Sequence, residues 1–334
     1  MDRRRFLAAS AAALGAGLSL PALAQVEGKS RVVVVRSMAM AAVTEDAALR
    51  RMLMDMVHQA VCLLSGAASR EAAWRTYLKP EDIVGVKLSC LAPPMVPHPA
   101  MADAVAEGAA LVGIPANHVI AFDKEDRDLE RSGFTINKGG SDVQCYGTVG
   151  PPGSGNPGYE DRQSFRRDTA YHLSRVVSRQ CTAIVNVPVF KDHSYAGMTG
   201  ALKNHFGCID NPNEFHKKNN CCPAIVDVGH DQYIRGKQRL ILCDARAVQY
   251  EGGPSFQPQH LQAYYSIIAA VDPVAMDTMA MQLLDMCRQS RGLPKLQDRE
   301  NKPIHIAEGA RQGLGTNDIS RIEVVAKELR EKTG

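Results

Sequence analysis

The sequence predicts an α/β fold with a mostly parallel central sheet and helices on both faces. Three observations carry this. Short continuous apolar runs recur along the chain, stretches of helical period separate them, and several of the runs end on a polar residue.

Arg31 to Val35 is the first such run and reads as a buried strand. Thr44 is placed to cap the helix that follows, where Leu49, Leu53, Met56, Val57, Ala60 and Leu64 fall at helical spacing. Residues 82–88 give a second strand, residues 100–112 a helix, and residues 118–122 a third strand ending at Asp123. Gly and Pro dominate residues 147–161, which read as a long surface loop near the site. A helix is expected around 170–179 and strands over 181–187, 238–243 and 266–271. A helix with Met276, Ala280, Leu283, Leu284 and Cys287 inward comes next, and residues 321–325 form the last strand.

Four of these strands run into Lys87, Asp123, Asp244 and Asp272. In open α/β sheets ligands sit outside the carboxyl ends of the strands, so the four are expected to share a polar pocket. Helix capping is the competing account, and Asp272-Pro273 suits it well.

The chain begins with Arg3-Arg4-Arg5-Phe6-Leu7, an Ala/Gly-rich apolar stretch to Leu20, then Pro21 and Ala22-Leu23-Ala24. This is the three-part order of a secretory signal, and its start resembles the twin-arginine motif, with Asp2 where Ser or Thr is commoner. Residues 1–24 are expected to be a signal peptide and 25–334 a single α/β domain. The twin-arginine export machinery would be a partner and the periplasm or another extracytoplasmic space the destination. Removing Arg3, Arg4 and Arg5 together with Asp2 lowers the formal charge from +3 to +1. That balance gives no electrostatic case for nucleic acid. With no later long apolar run, no stable membrane anchor is expected.

Residues 185–227 carry the least ordinary chemistry. Lys191-Asp192-His193 follow directly after a strand, and Gly197, Thr199 and Gly200 flank the expected start of a helix whose backbone N–H groups are suited to an anion. Lys203, Asn204 and His205 come next. Neither a Gly-Lys-Ser/Thr phosphate loop nor GxGxxG after the first strand is present. His205, Cys208, His216, Cys221 and Cys222 are donors of the type that bind zinc or iron, without a paired CxxC. A transition metal on these five is one expectation. A disulfide from Cys208 to Cys221 or Cys222 is the other, because nine cysteines bound for an oxidising compartment include several in polar surroundings.

The stretch VNVPVFKDHSYAGMTGALKNHFGCIDNP, the later CDARAVQYEGGP and VDPVAMDTMA, and the earlier VGVKLSC and GIPANHVIAFDKEDRDLERSGF resemble the family called domain of unknown function 362. The resemblance spans nearly all of the chain after residue 24. It marks Lys87, Lys191, Asp192, His193, Lys203, Asn204, Asp244, Asp272 and Asp277 without assigning a role to any. Some relatives carry a ferredoxin-like iron–sulfur module; the clustered cysteines that it needs are missing here.

Two functions follow as expectations. One is an extracytoplasmic enzyme, metal- or cofactor-dependent, acting on a small anionic substrate. His193 would be its acid–base group, oriented by Asp192 or Asp244, beside Lys191. Lys87, Lys203, Asn204, Asp123 and Asp272 would hold the substrate. The alternative is a non-catalytic protein that binds a metal or small anion.

Overall fold

The computed structural model describes residues 28–329. The signal-peptide reading of residues 1–24 lies outside them. Twelve strands are assigned among the described residues: β1 (Ser30–Arg36), β2 (Val84–Lys87), β3 (Val119–Glu125), β4 (Gln144–Val149), β5 (Ser164–Arg166), β6 (Thr169–Tyr171), β7 (Ala183–Asn186), β8 (Lys191–His193), β9 (Gly197–Thr199), β10 (Gln238–Gln249), β11 (Leu261–Ala270) and β12 (Ile322–Glu328). The main sheet runs β12-β1-β11-β10-β7-β2-β3-β4, with β8 and β9 attached beside β10. Five helices matter most here: α1 (Asp46–Ser65), α2 (Ala100–Val112), α3 (Ala201–Asn204), α4 (Pro273–Gln289) and α5 (Ile304–Arg311).

The fold is α/β and its sheet is mixed. Pairs β12–β1, β10–β7, β7–β2, β2–β3 and β3–β4 are parallel, whereas β11 is antiparallel to both β1 and β10. Successive side chains of a strand point to opposite faces, and the core divides accordingly. Val33, Val35, Leu240 and Leu242 pack in one cluster with Leu53 and Met56 of α1 and Met101 and Val105 of α2. Val32, Ile241, Cys243 and Ile268 enter a second cluster with Met276, Ala280 and Leu284 of α4.

Several local expectations are corrected. Glu45, not Thr44, occupies the N-cap of α1, and it makes no side-chain capping bond. Residues 144–149 extend the sheet as β4, so the Gly/Pro-rich loop begins later than its composition suggested. Where a helix was expected around 170–179, the β5–β6 hairpin ends at Tyr171 and one wide helical turn covers Val176–Gln180.

The direction of β11 matters most for the site. Its middle residue Ser266 is level with Arg36 and Ala245, and its end, Ala270, is level with Val32 and Ile241. Its carboxyl end therefore lies at the sheet edge opposite to the ends of β2, β3 and β10. Apolar runs read alike in either direction, so the sequence pattern gave no warning of this reversal.

Candidate functional site

Parallel pairing brings Lys87 level with Phe122 and Asn186, one residue before Asp123. These carboxyl ends, with β8, β9 and the 199–216 segment above them, enclose a cleft of about 910 Å³ including its mouth. Lys87, Asp123, Lys191, His193, Lys203, Asn204 and His216 line it.

The floor is a buried polar network. Lys87 Nζ donates to Asp123 Oδ1 at 2.8 Å, to Leu88 O at 2.5 Å and to Asn204 Oδ1 at 3.2 Å. Asp123 Oδ2 accepts from Cys90 N at 2.7 Å. Asn204 Nδ2 donates to Asn186 Oδ1 at 2.7 Å, and Asn186 Nδ2 donates to Ala201 O at 2.9 Å. An ammonium has three hydrogens to give, and all three of Lys87 are engaged within the protein. Lys87 and Asp123 thus shape the floor and neutralise each other.

The other two lysines differ. Lys191 is 2% exposed, and among the described residues no hydrogen bond or ion pair engages its Nζ. Among the described residues, Lys203 Nζ meets His216 Nε2 at 3.4 Å and the face of Phe206 at 5.0 Å. Burial lowers Lys191 to about 8, helped by the nearby Lys203 charge. Burial likewise lowers Lys203 to about 8, against an opposing effect of Cys221 and with help from Lys87. Buried charges are normally paired, because desolvation is costly. Here two cations face one cleft without a bonded carboxylate among the described residues.

His193 is held by its own turn. Its Nδ1 accepts from Tyr195 N at 3.0 Å and Ala196 N at 3.2 Å. That fixes the tautomer with the proton on Nε2. Burial, then Lys203, His216 and Lys191, pushes its basicity far below the usual imidazole range. His216 stacks on it at 5.3 Å between ring centroids. Burial and Lys203 lower His216 to about 4. The two rings are neutral at pH 7, and His193 is suited to donate a hydrogen bond rather than to take a proton.

The predicted orienting groups for His193 are corrected. Asp192 alternates to the other side of β8, where it bonds Arg299 and accepts from Gly253 N at 3.1 Å. Asp244 accepts from His98 N and Arg246 Nε, each at 2.9 Å, and does not line the cleft. Asp272 is corrected as well. It lies at the opposite sheet edge, where it caps α4 through Val274 N and Ala275 N and also bonds Ser30 and Thr316. Capping is the account that holds for it.

The expected anion nest at the start of α3 is filled from within. Asp277 of α4 accepts from Ala201 N at 2.6 Å and Leu202 N at 3.0 Å. Gly200 is required there, since a Cβ would lie 2.2 Å from Asp277 Oδ1. A carboxylate distant in sequence thus anchors the short helix that carries Lys203 and Asn204.

The five proposed metal donors do not converge. His205 Nε2 pairs with Gln238 Oε1 at 2.8 Å, Cys208 packs in the apolar core, and Cys221 Sγ faces His216 O at 3.7 Å. Among the described residues, no group of three or more His, Cys, Asp or Glu is arranged to hold an ion. The set therefore does not fit a zinc or iron centre. All nine cysteines are free, so the alternative disulfide is not formed either.

A family model described as domain of unknown function (DUF362) matches residues 96–282. The chain belongs to this family. The DUF362 match includes Asp123, Lys191, His193, Lys203, Asn204, His216 and Asp277, while Lys87 lies before it. No curated protein matches the chain. One solved structure, a Thermotoga maritima protein determined as a structural-genomics target, is 11% identical with a TM-score of 0.35. That likeness covers 63% of this chain and 54% of the other, so the chain spans about half the length of that relative.

Proposed function

We propose that this DUF362 protein is exported and that its cleft binds a small anion. One observation carries the binding reading: Lys191 and Lys203 are both buried in one cleft, and among the described residues no carboxylate is bonded to either. Burying two ammonium groups disfavours the folded state at neutral pH, and an anionic ligand would offset that cost. Lys191 and Lys203 supply charge, His193 Nε2–H supplies a directional donor, and Lys87 with Asp123 keeps the floor rigid. The two core clusters support reading the domain as a sheet covered by helices on both faces.

Sulfate, whose charge is constant over the range, tests the binding reading. Affinity should hold to about pH 8 and fall above it as Lys191 and Lys203 lose their protons. Calorimetric affinities that stay level to pH 10 would contradict it.

Export rests on the paired arginines at the start. Changing Arg3, Arg4 and Arg5 together to Lys removes the alternative register as well as the pair. The variant should stay in the cytoplasm with its leader uncleaved, as read by fractionation and N-terminal mass. Normal processing and export would count against the twin-arginine route.

A further inference from the structure

We propose that Lys191 is a nucleophilic amine that forms an imine with a small anionic carbonyl compound such as a 2-oxo acid. The inference rests on the anion-binding reading of the same cleft and names its substrate class. Among the three buried lysines, position decides. Lys87 Nζ is held by Asp123, Leu88 O and Asn204. Lys203 Nζ is engaged by His216 and lies over Phe206. Only Lys191 among these three enters the cleft with Nζ unengaged, on a strand that fixes its backbone between Gln249 and Thr199.

Lys191 and His193 are two apart on β8, so their side chains leave the same face with Cα atoms roughly 6.6 Å apart. A carbonyl carbon in reach of Lys191 Nζ can turn its oxygen toward His193 Nε2–H. The neutral imidazole suits that task, because its Nε2–H is too weak an acid to be transferred and so stabilises the developing alkoxide as a hydrogen-bond donor without being spent. Lys203, next to both, is placed to meet the carboxylate. Its charge and the burial of the site also keep Lys191 partly unprotonated near neutral pH, which a nucleophilic amine requires.

The step balances. The Nζ lone pair attacks the carbonyl carbon, the C=O π pair moves to oxygen, and one Nζ proton passes to that oxygen to give a carbinolamine. A second proton, from solvent, goes to the hydroxyl; the C–O bond breaks, water leaves, and the nitrogen lone pair forms C=N as an iminium, which keeps its last N–H or returns that proton to solvent as a neutral imine. No oxidant or reductant is consumed.

The test uses the exported, folded chain with pyruvate and, separately, glyoxylate as probes, and borohydride as trap. The expected product is one secondary amine per chain, heavier by the carbonyl compound plus two hydrogens less one water. Peptide mapping should place it on Lys191, and its rate should rise toward pH 8. Lys191→Arg should lose the adduct while its thermal melt shows a folded protein. An adduct spread over exposed lysines, or one that persists in Lys191→Arg, would overturn the inference. Sulfate binding to the unaltered protein separates the two levels: binding without trapping defeats the imine alone, and absence of both defeats the anion pocket beneath it.

Discussion

Replacing Lys87 by Met is expected to destabilise the protein by about 3–5 kcal/mol, the cost of leaving a buried partner charge uncompensated. Lys87 is 1% exposed, and its three bonds tie β2 to β3 and to α3. Met keeps the volume, so packing loss contributes little. Asp123 would retain only the Cys90 amide. Adding Asp123→Asn to the same chain should recover part of the loss, since the unpaired charge is then gone. Urea unfolding of both variants reads the difference. Additive losses in the double variant would show that the pair is not coupled.

A second large effect is expected at Asp277. Its carboxylate alone satisfies Ala201 N and Leu202 N, and both are buried. Asp277→Ala orphans two backbone donors and should cost about 2–6 kcal/mol, from one to three for each unsatisfied group. Sulfate binding should weaken too, because α3 carries Lys203. The pH signature is separate from the loss of stability. Burial, opposed by the two amide bonds, raises Asp277 to about 7. The folded state therefore holds a proton that the unfolded chain has released. Asp277's contribution is greatest below about pH 4 and is lost as pH rises toward 7. Asp277→Asn should remove that decline from the stability profile. A variant that keeps the same slope between pH 4 and 7 would assign the slope to other groups.

Much of the fold was legible because apolar runs and helical period report burial directly. Residues 31–35, 100–112 and the Asp272-capped helix fall within a few residues of β1, α2 and α4. Strand direction was not legible. Period-two and continuous apolar patterns are the same read forwards or backwards, so the sequence alone sets Asp272 beside Asp123 although β11 is reversed. Asp192 leaves the cleft for a simpler reason: on a strand its neighbours Lys191 and His193 face the other way. That alternation was available in the sequence once Lys191–His193 is read as extended.

The 205–222 segment misled through its composition. His and Cys in polar surroundings suggested ligands, yet Cys208 and Cys221 are core residues. His216 belongs to the cleft through its stacking on His193, not through a metal. The role of Asp277 had no local signal, because its partners are about 75 residues away in sequence, as the bond to Leu202 records.

The anion pocket is tested most directly by titrating sulfate into the folded protein and into Lys203→Met at pH 7, with the thermal melt of the variant as the check on folding. The unaltered chain should bind sulfate saturably and melt higher in its presence. Lys203→Met should bind about 10–150-fold more weakly, as the loss of a charge-assisted contact of about 1.5–3 kcal/mol implies. Equal affinity in the two proteins, or no saturable binding by the unaltered chain, would contradict the claim that these buried lysines exist to hold an anion.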